Sequence, residues 1–353
     1  MNEFTGEYFF QKFSEKAGDI YPGRYTREYC DTLALTANQI VELLKKKNIL
    51  LLVHNYQYPE IQEIGFRFGY VGDSYGLSLK AKEETGYSAI AFSSVEFMAE
   101  TAKIINPERK VLVPTRASCS LVESVNLPRI KKWKEKNPTG RVVSYINTDA
   151  KTKALSDYIC TSRNASAVVA HVRKNFPGAP ILFLPDKYLA NVVISQLGLK
   201  FGDLDIWDGS CYVHKELDEI MMDRAQDEHP DAMLLRHPEC GCTQECIITA
   251  LRQGIKIEFV STEVMITRAK ESPLNEFIVA TEAGMVYRLR HEIPNKIFYP
   301  VSPKAMCKHM KQCTLEGLLA CLENDNDPKY QIILEKEILA GAKTSIENML
   351  SIT

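Results

Sequence analysis

The chain has 353 residues, of which 45% are hydrophobic and 25% charged, with a formal net charge of -2. That length exceeds what a single core serves well and the apolar content is ordinary, so two or three folded domains are expected and a disordered chain is excluded. The mixed, near-neutral charge argues against nucleic acid, which asks for a basic stripe, and in favour of small-molecule partners. No apolar signal region opens the chain and nowhere do about 18 apolar residues run together. The expectation is a cytoplasmic protein with no membrane span. Its ten cysteines (Cys30, Cys119, Cys160, Cys211, Cys240, Cys242, Cys246, Cys307, Cys313 and Cys321) would then be thiols. In a reducing compartment, spaced cysteines point more to metal or catalysis than to disulfides.

Residues 1–47 read as helices broken at Tyr21-Pro22-Gly23, with Ile40, Val41, Leu43 and Leu44 on one face. The apolar run 49–53 then stops at His54-Asn55-Tyr56-Gln57, the pattern of a strand covered on both faces. Ligands in open α/β sheets sit beyond the carboxyl ends of such strands, which makes His54 and Tyr56 candidate site residues. A helix over 75–85 follows, opened by Gly72-Asp73-Ser74, where a cap and free amides suit an anion. Strands are expected over 89–92 and 111–113, the latter leading to Cys119. A second series covers 142–146, 167–169, 181–184 and 206–207 and ends at Cys211; a third covers 233–235, 257–260, 277–279 and 297–298 and ends at Cys307. Two helices, 314–323 and about 330–349, close the chain and are expected to return to the first domain.

The spacing repeats. Cys119 to Cys211 is 92 residues and Cys211 to Cys307 is 96; from the first polar strand end to the closing cysteine is 65, 66 and 70 residues, counted from His54, Tyr145 and His237. A period near 90 is domain-sized, so the predicted architecture is three similar three-layer αβα domains with parallel sheets around a pseudo-threefold axis. Equivalent loops would then meet at the axis and bring three thiolates to one point. Such a donor set suits zinc or an iron–sulfur cluster, and a four-iron cluster on three cysteines keeps one iron open as a Lewis acid. His54/Tyr56, Tyr145/Asn147 and His237/Glu239 would surround that point, with Glu239 able to act as a base. Ser74, Thr161, Ser162, Ser261 and Thr262 stand near helix starts, where hydroxyls and amides hold carboxylate or phosphate.

The stretches HNYQYPEIQ…GDS, FMAETAKIINP, YINTDAKTKALSDYICTSRNA, LPDKYLANVV, WDGSCYVH, HPEC, STEVMI, FIVATEAGMVYRL and CKHMKQCTLEGL together resemble the quinolinate synthase family over roughly residues 40–325. The resemblance implies a four-iron, four-sulfur cluster held by Cys119, Cys211 and Cys307, one from each of three pseudo-equivalent domains. Their implied bounds are 1–127, with the closing helices 310–353 packed back on it, then 128–213 and 214–309. It implies a transferase of NAD biosynthesis that condenses iminoaspartate with dihydroxyacetone phosphate to quinolinate, phosphate and water, coupled to an enzyme that produces iminoaspartate. Substrate binding would fall to His54, Ser74, Tyr145, Ile146, Asn147, Ser162, His237, Pro238, Glu239 and Thr262, and catalysis to Tyr56, Glu239 and His237, with Phe97 and Met98 lining the cavity. The family's HYYQ is HNYQ here; strand alternation turns Asn55 away from the site, so little effect on the chemistry is expected. Cys240, Cys242 and Cys246 form a C-G-C-x-x-x-C run that fits zinc, a disulfide or no role at all. Two rivals remain: another cluster-dependent hydro-lyase acting on a hydroxy acid, and a cluster-bearing sensor, which would have no ring of carboxylate-binding groups.

Overall fold

The computed structural model describes residues 3–243, 246–249 and 257–352. It is α/β, built on three parallel sheets flanked by helices. In the first, β1 (Ile49–His54), β2 (Gly69–Gly72), β3 (Ala89–Ser93) and β4 (Lys110–Leu112) lie in the order β2-β1-β3-β4. In the second, β5 (Arg141–Tyr145), β6 (Tyr158–Cys160), β7 (Ile181–Leu184) and β8 (Asp205–Ile206) lie in the order β6-β5-β7-β8. The third has β9 (Met233–Arg236), β10 (Glu276–Ala280) and β11 (Ile297–Pro300) in the order β11-β10-β9, and Phe259 forms a parallel bridge to Arg236 on the free side of β9. Every strand pairing is parallel. With Phe259 counted, each sheet runs second-first-third-fourth, and the chain reverses direction across the sheet beside its first strand. Crevices for ligands form at such switch points.

The first strand shows why these residues fold as they do. All six residues of β1 are buried. Ile49, Leu51 and Val53 face Ile40, Val41 and Leu44 of the helix Arg27–Lys47, and Leu50 and Leu52 face Leu77, Phe92 and Ala102 on the other side, the period of two that a covered strand requires. Asn48, left-handed at φ 50°, ends the long helix by donating its N–H to Leu44 O and turns the chain into β1.

One expectation is corrected, one strand was not foreseen, and one expectation holds in part. The segment 167–169 is not a strand: it lies within the helix Ala165–Asn175, whose Val168, Val169 and Val172 make one buried stripe, and the sheet edge is β6 just before it. Strand β2 went unread because it is only four residues, Gly-Tyr-Val-Gly, with no polar break after the helix Pro59–Phe68. Gly69 is required there, since a Cβ would come within 2.2 Å of Leu51 O across the pair. Last, the helix Leu315–Glu323 packs on Arg27–Lys47 of the first sheet's cover, whereas the final helix Lys336–Leu350 packs for the most part elsewhere. It lies chiefly against the helix Ala150–Leu155 and strand β6 of the second sheet, burying Ala342, Ile346 and Met349 in that core, and it also touches the helix Glu96–Ile105 that covers the first sheet.

Candidate active site

One cavity takes its walls from all three sheets. Beyond β1, the chain turns with Gln57 N–H donating to His54 O at 3.0 Å, and Tyr56 N–H donates to His54 Nδ1 at 3.2 Å. Beyond β9 the same device recurs, with Glu239 N–H donating to His237 Nδ1 at 3.4 Å. An imidazole that accepts at Nδ1 carries its proton on Nε2. Burial drives both rings down to a pKa of about 3, so each is a neutral N–H donor. Beyond β5 stand Tyr145, Ile146 and Asn147, and the buried Asn147 Oδ1 has no hydrogen-bond partner among the described residues.

These lips are joined by a chain of close polar contacts. Tyr56 OH lies 2.7 Å from Thr281 Oγ1, and Thr281 Oγ1 lies 2.8 Å from His214 Nε2. His214 Nδ1 is 3.2 Å from Glu239 Oε2, and Tyr145 OH donates to Glu239 Oε1 at 2.5 Å. In the Tyr56–Thr281 and Thr281–His214 contacts either partner can donate, and the His214 ring faces the carboxylate through Nδ1 without completing a hydrogen bond to it. Burial opposes the charge on Glu239, but His214, His237 and the Tyr145 hydroxyl outweigh it and hold the carboxyl at about 2. Burial first, and the Glu239 charge second, push both tyrosine hydroxyls well above their ordinary range. The site therefore holds an ionised carboxylate between two phenols that keep their protons.

Three helix starts complete the wall. Ser74 opens the helix Ser74–Glu83, capped by Asp73, which accepts from Gly76 N at 2.7 Å. Ser162 precedes Ala165–Asn175, and Thr262 opens Thr262–Glu271. All three residues line the cavity, where backbone amides and the positive helix ends favour an anion.

Cys119, Cys211 and Cys307, from the three successive sheets, line the same cavity. Burial, reinforced by Cys307, pushes the Cys119 thiol up to about 12; burial and then Glu239 raise Cys211, and burial raises Cys307. Thiols so placed ionise only against a positive charge, which is the environment a soft metal centre supplies. The residues present therefore fit a thiolate-bound metal centre. A second donor set overlaps it: ligand atoms of Cys211, His214 and Glu239 lie within 4.8 Å of one another. His214 and Glu239 are already committed to Thr281 and Tyr145, which leaves the cysteines as the freer donors. Glu282 anchors the Cys307 loop by accepting from Cys307 N at 3.1 Å and pairing with Lys311 at 3.1 Å.

Of the residues singled out from sequence, His54, Tyr56, Ser74, Tyr145, Ile146, Asn147, Ser162, His237, Glu239, Thr262 and the three cysteines line the cavity, as do Phe97 and Met98. Pro238 does not; it borders a separate cavity between the second and third sheets. Asn55 does turn away from the cavity, but not into irrelevance: its Nδ2 donates to Thr262 Oγ1 at 3.1 Å. Sequence reasoning missed His214, Thr281 and Glu282. The signals were present, since His214 follows Cys211 by three residues and Thr281-Glu282 ends β10, the counterpart of other strand ends that carry site residues. Cys240, Cys242 and Cys246 are buried apart from this wall, Cys242 Sγ lying 3.4 Å from Met222 Sδ.

Fold and site together define a class: a three-sheet α/β protein whose strand ends close on one cavity furnished with thiols, a carboxylate and anion-binding helix starts. Comparison with known proteins sharpens this. The model of the family described as quinolinate synthetase A protein matches residues 38–351. A quinolinate synthase of Pyrobaculum aerophilum is 38% identical over 88% of this chain and 97% of its own length. Another, of Thermus thermophilus, is 39% identical over 90% and 97%, and one of Mycobacterium leprae is 38% identical over 90% and 88%. The chain belongs to the quinolinate synthase family.

Proposed function

We propose that this protein condenses iminoaspartate with dihydroxyacetone phosphate to give quinolinate, phosphate and water, a transferase step of NAD biosynthesis. We infer that a four-iron, four-sulfur cluster is held by Cys119, Cys211 and Cys307 and that three αβα units, about 1–127, 128–213 and 214–309, surround it about a pseudo-threefold axis. The observation that carries this reading is the meeting of three cysteines, one per sheet, on a single cavity wall in a chain of this family. When bound, such a cluster supplies an open iron that polarises a substrate oxygen and eases loss of hydroxide.

The chain's own residues supply the rest. Ser74, Ser162 and Thr262 hold the carboxylate and phosphate groups at the helix starts. The neutral imidazoles of His54 and His237 and the amide of Asn147 orient the substrate by hydrogen bonds without adding charge. Glu239, ionised, is the proton acceptor. Tyr56, protonated and linked through Thr281 to His214, is the donor on the opposite side. We place the reaction in the cytoplasm, fed by an enzyme that produces iminoaspartate; in accord with this, no helix among the described residues is long and apolar enough to cross a membrane.

Anaerobically reconstituted protein given oxaloacetate, ammonia and dihydroxyacetone phosphate is expected to form quinolinate. Turnover of a hydroxy acid in its place would favour a hydro-lyase and overturn the reading. Cys119→Ala, Cys211→Ala and Cys307→Ala are each expected to abolish the visible cluster absorbance while Cys242→Ala keeps it; the reverse for Cys242 and Cys307 would refute the ligand assignment.

A further inference from the structure

Asn55 is completely buried beside the cavity, although its side chain forms no part of the wall. Its orientation is dictated by its neighbours. Arg288, itself 6% exposed, donates from Nη1 to Asn55 Oδ1 at 2.6 Å. The guanidinium is in turn held by Glu292, with Nη2 at 2.9 Å and Nε at 3.0 Å, and faces Glu263 at 3.6 Å. A guanidinium only donates, so the atom of Asn55 facing it must be the carbonyl oxygen. The amide nitrogen is thereby turned to Thr262, where Nδ2 meets Oγ1 at 3.1 Å, with a longer contact of 3.5 Å to Glu263 Oε1. Thr262 Oγ1 is therefore an acceptor on its inner side. Among the described residues none accepts the Thr262 hydroxyl proton, and Thr262 lines the cavity at the start of a ten-residue helix.

We propose that Asn55 is a positioning residue that makes the Thr262 hydroxyl an obligate donor into the cavity, and so sets the affinity of the site for the anionic end of its substrate. The proposal rests on the quinolinate-forming reading for the identity of that anion. Its logic is one of exclusion. A hydroxyl free to rotate can present either its proton or a lone pair to a ligand; with its lone pair engaged by an amide N–H, the proton is left to the ligand. Anions are thereby favoured and cationic or donor groups disfavoured at this corner.

Asn55→Asp separates this role from a merely structural one. The introduced carboxylate still accepts from Arg288, so the buried guanidinium keeps a partner. Facing Thr262, however, it can only accept, and the hydroxyl turns its proton inward. Quinolinate binding to the anaerobic holoenzyme, measured by calorimetric titration, is expected to weaken by about tenfold or more, the scale of a lost hydrogen bond to a charged group. KM should rise by the same factor and kcat should change by less than about threefold. Thr262→Val should show a similar loss, and the double variant should bind no more weakly than Thr262→Val, because both changes remove one interaction. Should Asn55→Asp not fold, Asn55→Ser, which withdraws the amide without adding charge, is expected to raise KM with kcat kept.

A folded variant binding quinolinate as the wild type does, or losses that add in full in the double variant, would overturn the role. Wild-type protein that neither forms nor binds quinolinate would overturn the reading of the reaction and this role with it. Wild type that turns over normally beside equally active variants would overturn the role alone.

Discussion

At Glu239 the facing His214 ring and the Tyr145 phenol offset the cost of burying a carboxylate, and the consequence is a carboxyl held below its ordinary range. Replacing it by Gln keeps its size and removes its charge. In the quinolinate-forming assay, Glu239→Gln is expected to lower kcat by at least about 100-fold, within the range positioned proton transfer contributes. Thr281 is a subtler case, because it bridges Tyr56 and His214 without reaching the cavity itself. Thr281→Val keeps the shape and cuts the chain, so kcat is expected to fall roughly tenfold or more while KM holds; an unchanged kcat would show that Tyr56 and His214 act independently. Both residues illustrate what the amino-acid order conveys and what it hides. The strand-end histidines, tyrosines and cysteines are legible because each sits at a fixed phase after an apolar run. The partnership of His214 with Thr281 joins residues 67 positions apart on different sheets, and no local pattern encodes it.

Among the elements, those read correctly carry a strong one-dimensional signature. β1 is five aliphatic residues ending in histidine, and the helix Leu315–Glu323 repeats leucine on one face after a Thr314 cap. Those misread are short or ambiguous. The pair Val168-Val169 suits a strand and a buried helical stripe equally, and only its continuation to Val172 within a helix decides. Likewise the last helix begins at Lys336 and not near 330, because residues before it run extended, with Gln331 forming an antiparallel bridge to Leu112 at the edge of the first sheet. Having crossed that edge, the chain has the second sheet within reach, and Ser345 Oγ donates to Lys153 O at 2.9 Å there. Ile346, 1% exposed, is the centre of this docking face. Ile346→Asp would bury an unpaired charge and is expected to lower the melting temperature by several degrees, as read by circular dichroism. A melting temperature equal to that of the wild type would mean the helix contributes nothing to the fold.

Across the whole molecule, the N-terminal helix, the first sheet and the third meet at Glu63. This fully buried carboxylate accepts from Tyr8 OH at 2.6 Å, Tyr287 OH at 2.7 Å and Lys12 Nζ at 3.0 Å, with His291 Nδ1 at 3.2 Å. Burial works against its ionisation, yet His291, Tyr8, Lys12 and Tyr287 outweigh it and hold the carboxyl at about 2, below its ordinary 4.5. A carboxyl depressed on folding stabilises the folded state above its unfolded pKa, and that contribution is lost as pH falls through the folded value. Glu63→Gln is therefore expected to cost roughly 3 kcal/mol near neutrality, with the gap from wild type in urea titrations narrowing below about pH 4.5 and closing towards pH 2. A gap independent of pH would assign the loss to packing alone.

The common strand order of the three sheets gives the cavity three walls of separate origin, and none of them alone owns the thiol set, the ionised base and both phenols. Such a centre is indivisible. Losing any one sheet would remove a wall, a thiol and a strand-end cluster together.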